Sequence, residues 1–153
     1  MERAFTSGAF EQINSAKLSS DQIAALESAA ERVAFVAGET ICDMGDMPAN
    51  AFVLLEGEVR IESRFEKKGS DLVGGLFEAS AILSNLPQEH RLSAEEPTVL
   101  LRFGRREFQQ WLAQNNPIAR ALLDVTAETL VTSIRKLNQD FNTLVEMNQP
   151  SDS

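Results

Sequence analysis

The spacing of apolar positions divides the chain into three zones. Up to about residue 33 the apolar residues fall at helical intervals, with Ile23, Leu26 and Ala30 forming one narrow face. Ser19, with Gln22 three positions on, marks the start of this helix as a capping box, and Leu18 and Ile23 are placed as a hydrophobic staple across it. From residue 34 to 104 the period falls to two, in short runs broken by turns. Phe35 to Ile41 reads as a strand, a turn at Gly38 and a strand, and Gly45 and Asp46 mark a second turn. After Gly57, Val59, Ile61, Ser63 and Phe65 alternate with Glu58, Arg60, Glu62 and Arg64, as in an antiparallel sheet with one wet face. Lys67 to Ser70 is expected as the next turn, and Thr98 to Phe103 as a last strand. Many short strands at this spacing predict a mainly β protein, a sandwich or small barrel with flanking helices, of which a jelly roll is one form.

The third zone, 105–149, is helical, and Asn116–Pro117 divides it: Asn116 is placed to cap, and Pro117 occupies a first helical position where its missing N–H costs nothing. In the long final helix Ala127, Ile134 and Phe141 fall seven apart, as do Leu130, Leu137 and Leu144, giving an a/d seam of three heptads. Such a seam serves either the helix's own domain or a second copy. A homodimer is the expectation, because the sequence ends soon after this helix. The polar tail, 150–153, is expected to fray.

Composition narrows the classes. A chain of 153 residues, 43% hydrophobic, fits one domain over residues 1–149. No apolar run is long enough to span a bilayer and the N-terminus lacks the form of a signal peptide, so a cytoplasmic protein that does not enter the membrane is expected. A net charge of -9 argues against nucleic acid as a partner. Arg102, Arg105 and Arg106 flank a helix carrying Phe108, Trp111 and Leu112, which suits a solvated face rather than a basic stripe. One cysteine, Cys42, excludes an internal disulfide and cannot alone hold zinc or an iron–sulfur cluster; it reads as a small buried apolar residue. His90 is the one histidine, and no serine or cysteine nucleophile signature adjoins it, so it reads as a local packing or capping residue. Neither an enzyme nor a cofactor is expected.

The run AGETICDMGDMPANAFVLLEGEVRI, followed by GGLFEASAILSNLPQEHRLSAEE and LLRFGRREFQQWL, resembles the cyclic-nucleotide-binding domain of the Crp/Fnr type from about Ser19 to the final helix. The resemblance implies a double-stranded β-roll with an N-terminal helical segment and two C-terminal helices, the last pairing two subunits. It also implies a phosphate-binding cassette: a glycine and glutamate, a short helix, a proline, and an arginine before the next strand. Helix amides and the arginine would hold the cyclic phosphate while the glutamate takes the ribose hydroxyl.

Carried onto this chain, the glutamate is Glu78, followed by Ala79 and Ser80, and Pro87 takes the proline position. Three positions depart from the pattern. Phe77 stands for the glycine, although Gly74 and Gly75 lie just upstream; Gln88 stands for the arginine; and Glu89 stands for the small residue after it. A hydrogen bond to a charged group contributes about 1.5–3 kcal/mol, so losing the arginine alone weakens phosphate binding roughly 10- to 150-fold. Arg91 is the nearest substitute, but strand alternation puts it on the face opposite Gln88 and His90 unless the strand is bulged. Thr132 and Ser133 on the final helix stand where the resemblance implies contacts to the base.

Two functions follow. In one, the chain is a regulatory domain that senses a cyclic nucleotide or another small anion in the roll, with altered or weak nucleotide binding. In the other, it is a degenerate member that keeps the roll and the dimer helix as a protein-interaction module. Both pass the output through an unidentified protein partner or through dimerisation.

Overall fold

The computed structural model describes residues 16–83, 87, 88 and 90–148, without the side chains of Ser80, Leu83 and Ser133. Helix α1 (Ser20–Glu27) starts as the sequence marks it: Ser19 Oγ accepts from Gln22 N–H (3.2 Å), and Gln22 Oε1 accepts from Ser19 N–H (2.8 Å). It ends earlier than the apolar spacing predicts. Both Ala29 and Ala30 donate to the Leu26 carbonyl, and the chain then leaves as strand β1 (Glu31–Phe35). Pairing with the far end of the domain decides this, because β1 runs antiparallel to β8 (Thr98–Gly104) and Glu31 takes Arg102 in an ion pair of 2.7 Å.

Between them lie β2 (Thr40–Cys42), β3 (Asn50–Glu56), β4 (Val59–Glu62), β5 (Lys67–Ser70), β6 (Leu76–Phe77), the short helix α2 (Ser80–Leu83) and β7 (Arg91–Ala94). The strands form two antiparallel sheets, ordered β1-β8-β3-β6 and β2-β7-β4-β5. Lys67–Ser70, expected as a turn, is a strand paired with Val59–Glu62. The turn lies earlier because Ser63 Oγ accepts from the backbone of both Phe65 and Glu66, bending the chain there. Phe65, expected on the buried face, therefore sits at the hairpin tip with 90% of its surface exposed.

Strands β3 and β8 are buried on both faces, which explains their nearly continuous apolar runs. Phe52, Leu54 and Leu100 point between the sheets and meet Val59, Leu92 and Phe77. Ala51, Val53, Leu101 and Phe103 point the other way, against Leu18, Leu26 and the C-terminal helices. Those helices are α3 (Arg105–Ala113) and α4 (Pro117–Met147). Glu107 opens α3 by accepting from Gly104 N–H at 2.7 Å, and Asn116 caps α4 by accepting from Ile118 N–H at 3.0 Å. The root of α4 packs through Ile118, Leu122 and Val125; beyond it the apolar side chains from Leu130 to Leu144 are exposed. Among the described residues no helix is long and apolar enough to cross a membrane.

Candidate ligand-binding cassette

The cassette hangs between β6 and β7. Upstream of it, Gly74 (φ +89°) and Gly75 are tied by backbone bonds: Gly74 N–H donates to Leu54 O, Gly75 O accepts from Leu54 N–H, and Gly74 O accepts from Leu18 N–H. A Cβ at Gly74 would lie 2.6 Å from Leu18 O, so glycine is required by a close backbone crossing. Gly75 is thus fixed in the roll's frame and is not brought into the cassette. Phe77 is 6% exposed and fills space between the sheets, opposite Phe52.

Glu78 then turns the chain with φ +61°, a left-handed conformation uncommon for a residue other than glycine. The turn that follows is closed on itself: Ala81 N–H donates to Glu78 O and Ile82 N–H to Ala79 O, both at 3.0 Å. Ala79 lies in this turn, partly buried. Two of the amides expected to face an anion are thereby engaged within the chain.

The carboxyl of Glu78 is largely withdrawn from water, and this burial pushes it up from 4.5 to about 7, partly offset by a hydrogen bond from the Gln88 side chain. Gln88 itself is 5% exposed, and among the described residues its Oε1 has no hydrogen-bond partner. Its backbone is held at both ends by the Gly45 turn, with Gln88 N–H donating to Asp46 O (2.8 Å) and Gly45 N–H to Gln88 O (2.9 Å). Cys42 is close enough to Glu78 to feel its charge; burial first, then Glu78, raises its thiol to about 12, so it is an inert neutral group.

Arg91 turns away from this interior. Along β7, Leu92 and Ala94 are buried while Arg91 and Ser93 are half-exposed, and Arg91 lines a surface groove of about 220 Å³ with Thr40 and Arg60. There it forms a two-pronged ion pair with Asp43, at 2.9 and 3.2 Å. A partner 48 residues distant in the chain carries no local signal, which is why the sequence leaves Arg91 available. A second open groove, about 480 Å³, runs between the Met44–Gly45 turn, the Ser63–Phe65 turn, Gln88 and His90. Thr132 lies half-buried on α4, and no hydrogen bond joins its hydroxyl to the cassette among the described residues. Glu89 and the side chains of Ser80 and Ser133 lie outside the described residues. Among the described residues no cluster of three or more histidine, cysteine or acidic side chains could hold a metal ion.

Two four-stranded sheets closed over an apolar interior, with a glutamate-bearing cassette between β6 and β7 and a long helix after β8, define a ligand-sensing roll of the regulatory type. The family model for the cyclic nucleotide-binding domain matches residues 32–115, and the chain belongs to that family. Its fold is similar to that of the Thermus thermophilus catabolite activator protein (TM-score 0.66, 19% identity, covering 84% of this chain and 61% of that one). It is also similar to a cyclic nucleotide-binding domain from Methylobacillus flagellatus (TM-score 0.65, 16% identity, 97% and 86% covered). A third likeness is to a protein solved in work on a cyclic-GMP-dependent signalling pathway that regulates bacterial phytopathogenesis (TM-score 0.68, 14% identity, 76% and 96% covered). No curated protein sequence matches the chain.

Proposed function

We propose that this regulatory domain binds cyclic nucleotides weakly or not at all, and that it works as a homodimer joined through α4 whose output is a protein contact. The observation that carries this reading is the pairing of Gln88 with Glu78. The two side chains stand where the family resemblance puts the phosphate and ribose contacts, and they engage each other. Arg91 does not stand in for the missing arginine, since it is held by Asp43 on the outer face. Phe77 occupies interior volume that a glycine would leave open. The retained Glu78 favours a second reading, in which the roll senses a different small ligand.

The dimer rests on the seam of α4, where Leu130, Ile134, Leu137, Phe141 and Leu144 stand exposed in heptad register with Ala127. A second copy presents the same seam, which is what knobs-into-holes packing requires.

A thermal-shift titration with cyclic AMP, cyclic GMP and cyclic dinucleotides tests the first part. A ligand at 100 times its Kd adds about 2.7 kcal/mol, so a flat response up to millimolar concentration is the expected result. A saturable shift with any of the three overturns it.

A further inference from the structure

A carboxyl group and a primary amide can meet in two ways. An ionised carboxylate offers acceptors alone, so it takes the amide N–H and leaves the amide oxygen bare. A neutral acid has one O–H donor and one carbonyl acceptor, which match the amide's oxygen and N–H and close a ring of two hydrogen bonds. Glu78 and Gln88 already make one half of that ring: the carboxyl accepts from the Gln88 side chain, while Gln88 Oε1 is buried without a partner among the described residues. A buried acceptor without a donor is costly and calls for an explanation. The missing donor is the one a proton on Glu78 would create.

The surroundings favour that proton. Of the titratable groups around the pair, Cys42 on β2 is a neutral thiol that feels the Glu78 carboxylate, Asp43 and Asp46 lie on the turn beyond it, and Arg64 and His90 line the open groove that Gln88 also lines. Arg91, the cation nearest in sequence, is engaged by Asp43 on the far side of the sheet. Burial of Glu78 acts in the same direction, raising its carboxyl to about 7.

We infer that Glu78 and Gln88 form a carboxylic acid–amide pair, in which a proton on Glu78 supplies the second hydrogen bond to Gln88 Oε1, so that this cassette responds to pH. The proton comes from solvent, bonds to one carboxylate oxygen and leaves by the same route; no co-reactant takes part. Its effect reaches two elements, because Glu78 O anchors the first turn of α2 and the Gln88 backbone is laced to Gly45 and Asp46. The inference rests on the reading that the two side chains face each other and not a ligand.

The test is carbon-13 NMR of the labelled, nucleotide-free protein, following the Glu78 side-chain carboxyl and the Gln88 side-chain amide through a pH titration. The expected result is a Glu78 midpoint near 7, with the Gln88 amide protons moving at the same midpoint. A midpoint near the ordinary 4.5, or a Gln88 amide indifferent to the Glu78 titration, overturns it. Assignment through the side-chain carbons to the backbone needs no variant. In Glu78→Gln an amide replaces the neutral acid and can complete the same ring, so the melting temperature should lose its slope between about pH 5 and 8. A folded variant that keeps the wild-type slope counts against the pair. Nucleotide binding would sink the proposed function but not the midpoint read in the free protein. An ordinary midpoint would sink the pair but not a flat nucleotide titration.

Discussion

At position 88 an arginine would bring a fixed positive charge and five N–H donors into the roll, whereas glutamine brings two N–H donors and an acceptor. That change explains why Glu78 turns to its neighbour, and it sets the sign of the pH dependence. In the unfolded chain Glu78 titrates at its ordinary 4.5, and in the fold at about 7. Between these values the folded state holds more proton, so stability falls as pH rises through the window and levels off above it. Urea denaturation at pH 5 and pH 8 should differ by roughly 2–3 kcal/mol on this account, and the difference should vanish in Glu78→Gln. Asp43 works in the opposite direction and lower down. Its bond to Arg91 holds it below 3.8, so its contribution is present above that value and is lost as pH falls through its folded one. Restoring the family pattern with Phe77→Gly, Gln88→Arg and Glu89→Ala together should give calorimetrically measurable cyclic-nucleotide binding, a gain of roughly 10- to 150-fold from the arginine alone. Continued silence from a folded triple variant would show that the pocket is lost for other reasons. The departures at 77, 88 and 89 are legible in the sequence because the motif fixes their places. The contact of Glu78 with Gln88 and the capture of Arg91 by Asp43 are not, because both depend on how distant loops close.

Element by element, the chain is most readable where local chemistry decides the outcome. The Ser19–Gln22 capping box and the Asn116 cap are both present as the residues announce them. It is least readable where pairing overrides local preference: Lys67–Ser70 has the look of a turn, yet four backbone partners in β4 make it a strand. The long helix shows both kinds of position. Leu122 is fully buried at its root, and Leu122→Ala should cost about 2–5 kcal/mol in chemical denaturation. Leu137, further along the same helix, is 66% exposed, so the same truncation should leave the unfolding of the monomer nearly unchanged. Equal losses at the two sites would mean that the far half of α4 is covered within its own chain.

For the whole molecule, the fold class was legible because alternation, turn spacing and glycine placement all point to one roll, whereas the state of assembly is not a property that one chain's pattern can fix. Sedimentation equilibrium should find a dimer for the wild type, and Leu137→Lys should shift it towards monomer by placing a charge in the seam. A wild-type protein that sediments as a monomer at high concentration would remove the dimer from the proposal. Among the described residues, the helix that carries the seam is anchored at one end only. Its buried contacts end near Val125, and residues 127–147 continue for roughly 30 Å at 1.5 Å per residue. Such a rod is a pointer with its pivot against the domain: a tilt of about 5° at the pivot sweeps the tip through about 2–3 Å. The pivot touches the helical core that also holds Ile82 of the cassette helix. A shift in the roll too small to disturb its own packing would therefore be magnified at the far end, where it could separate or align two copies.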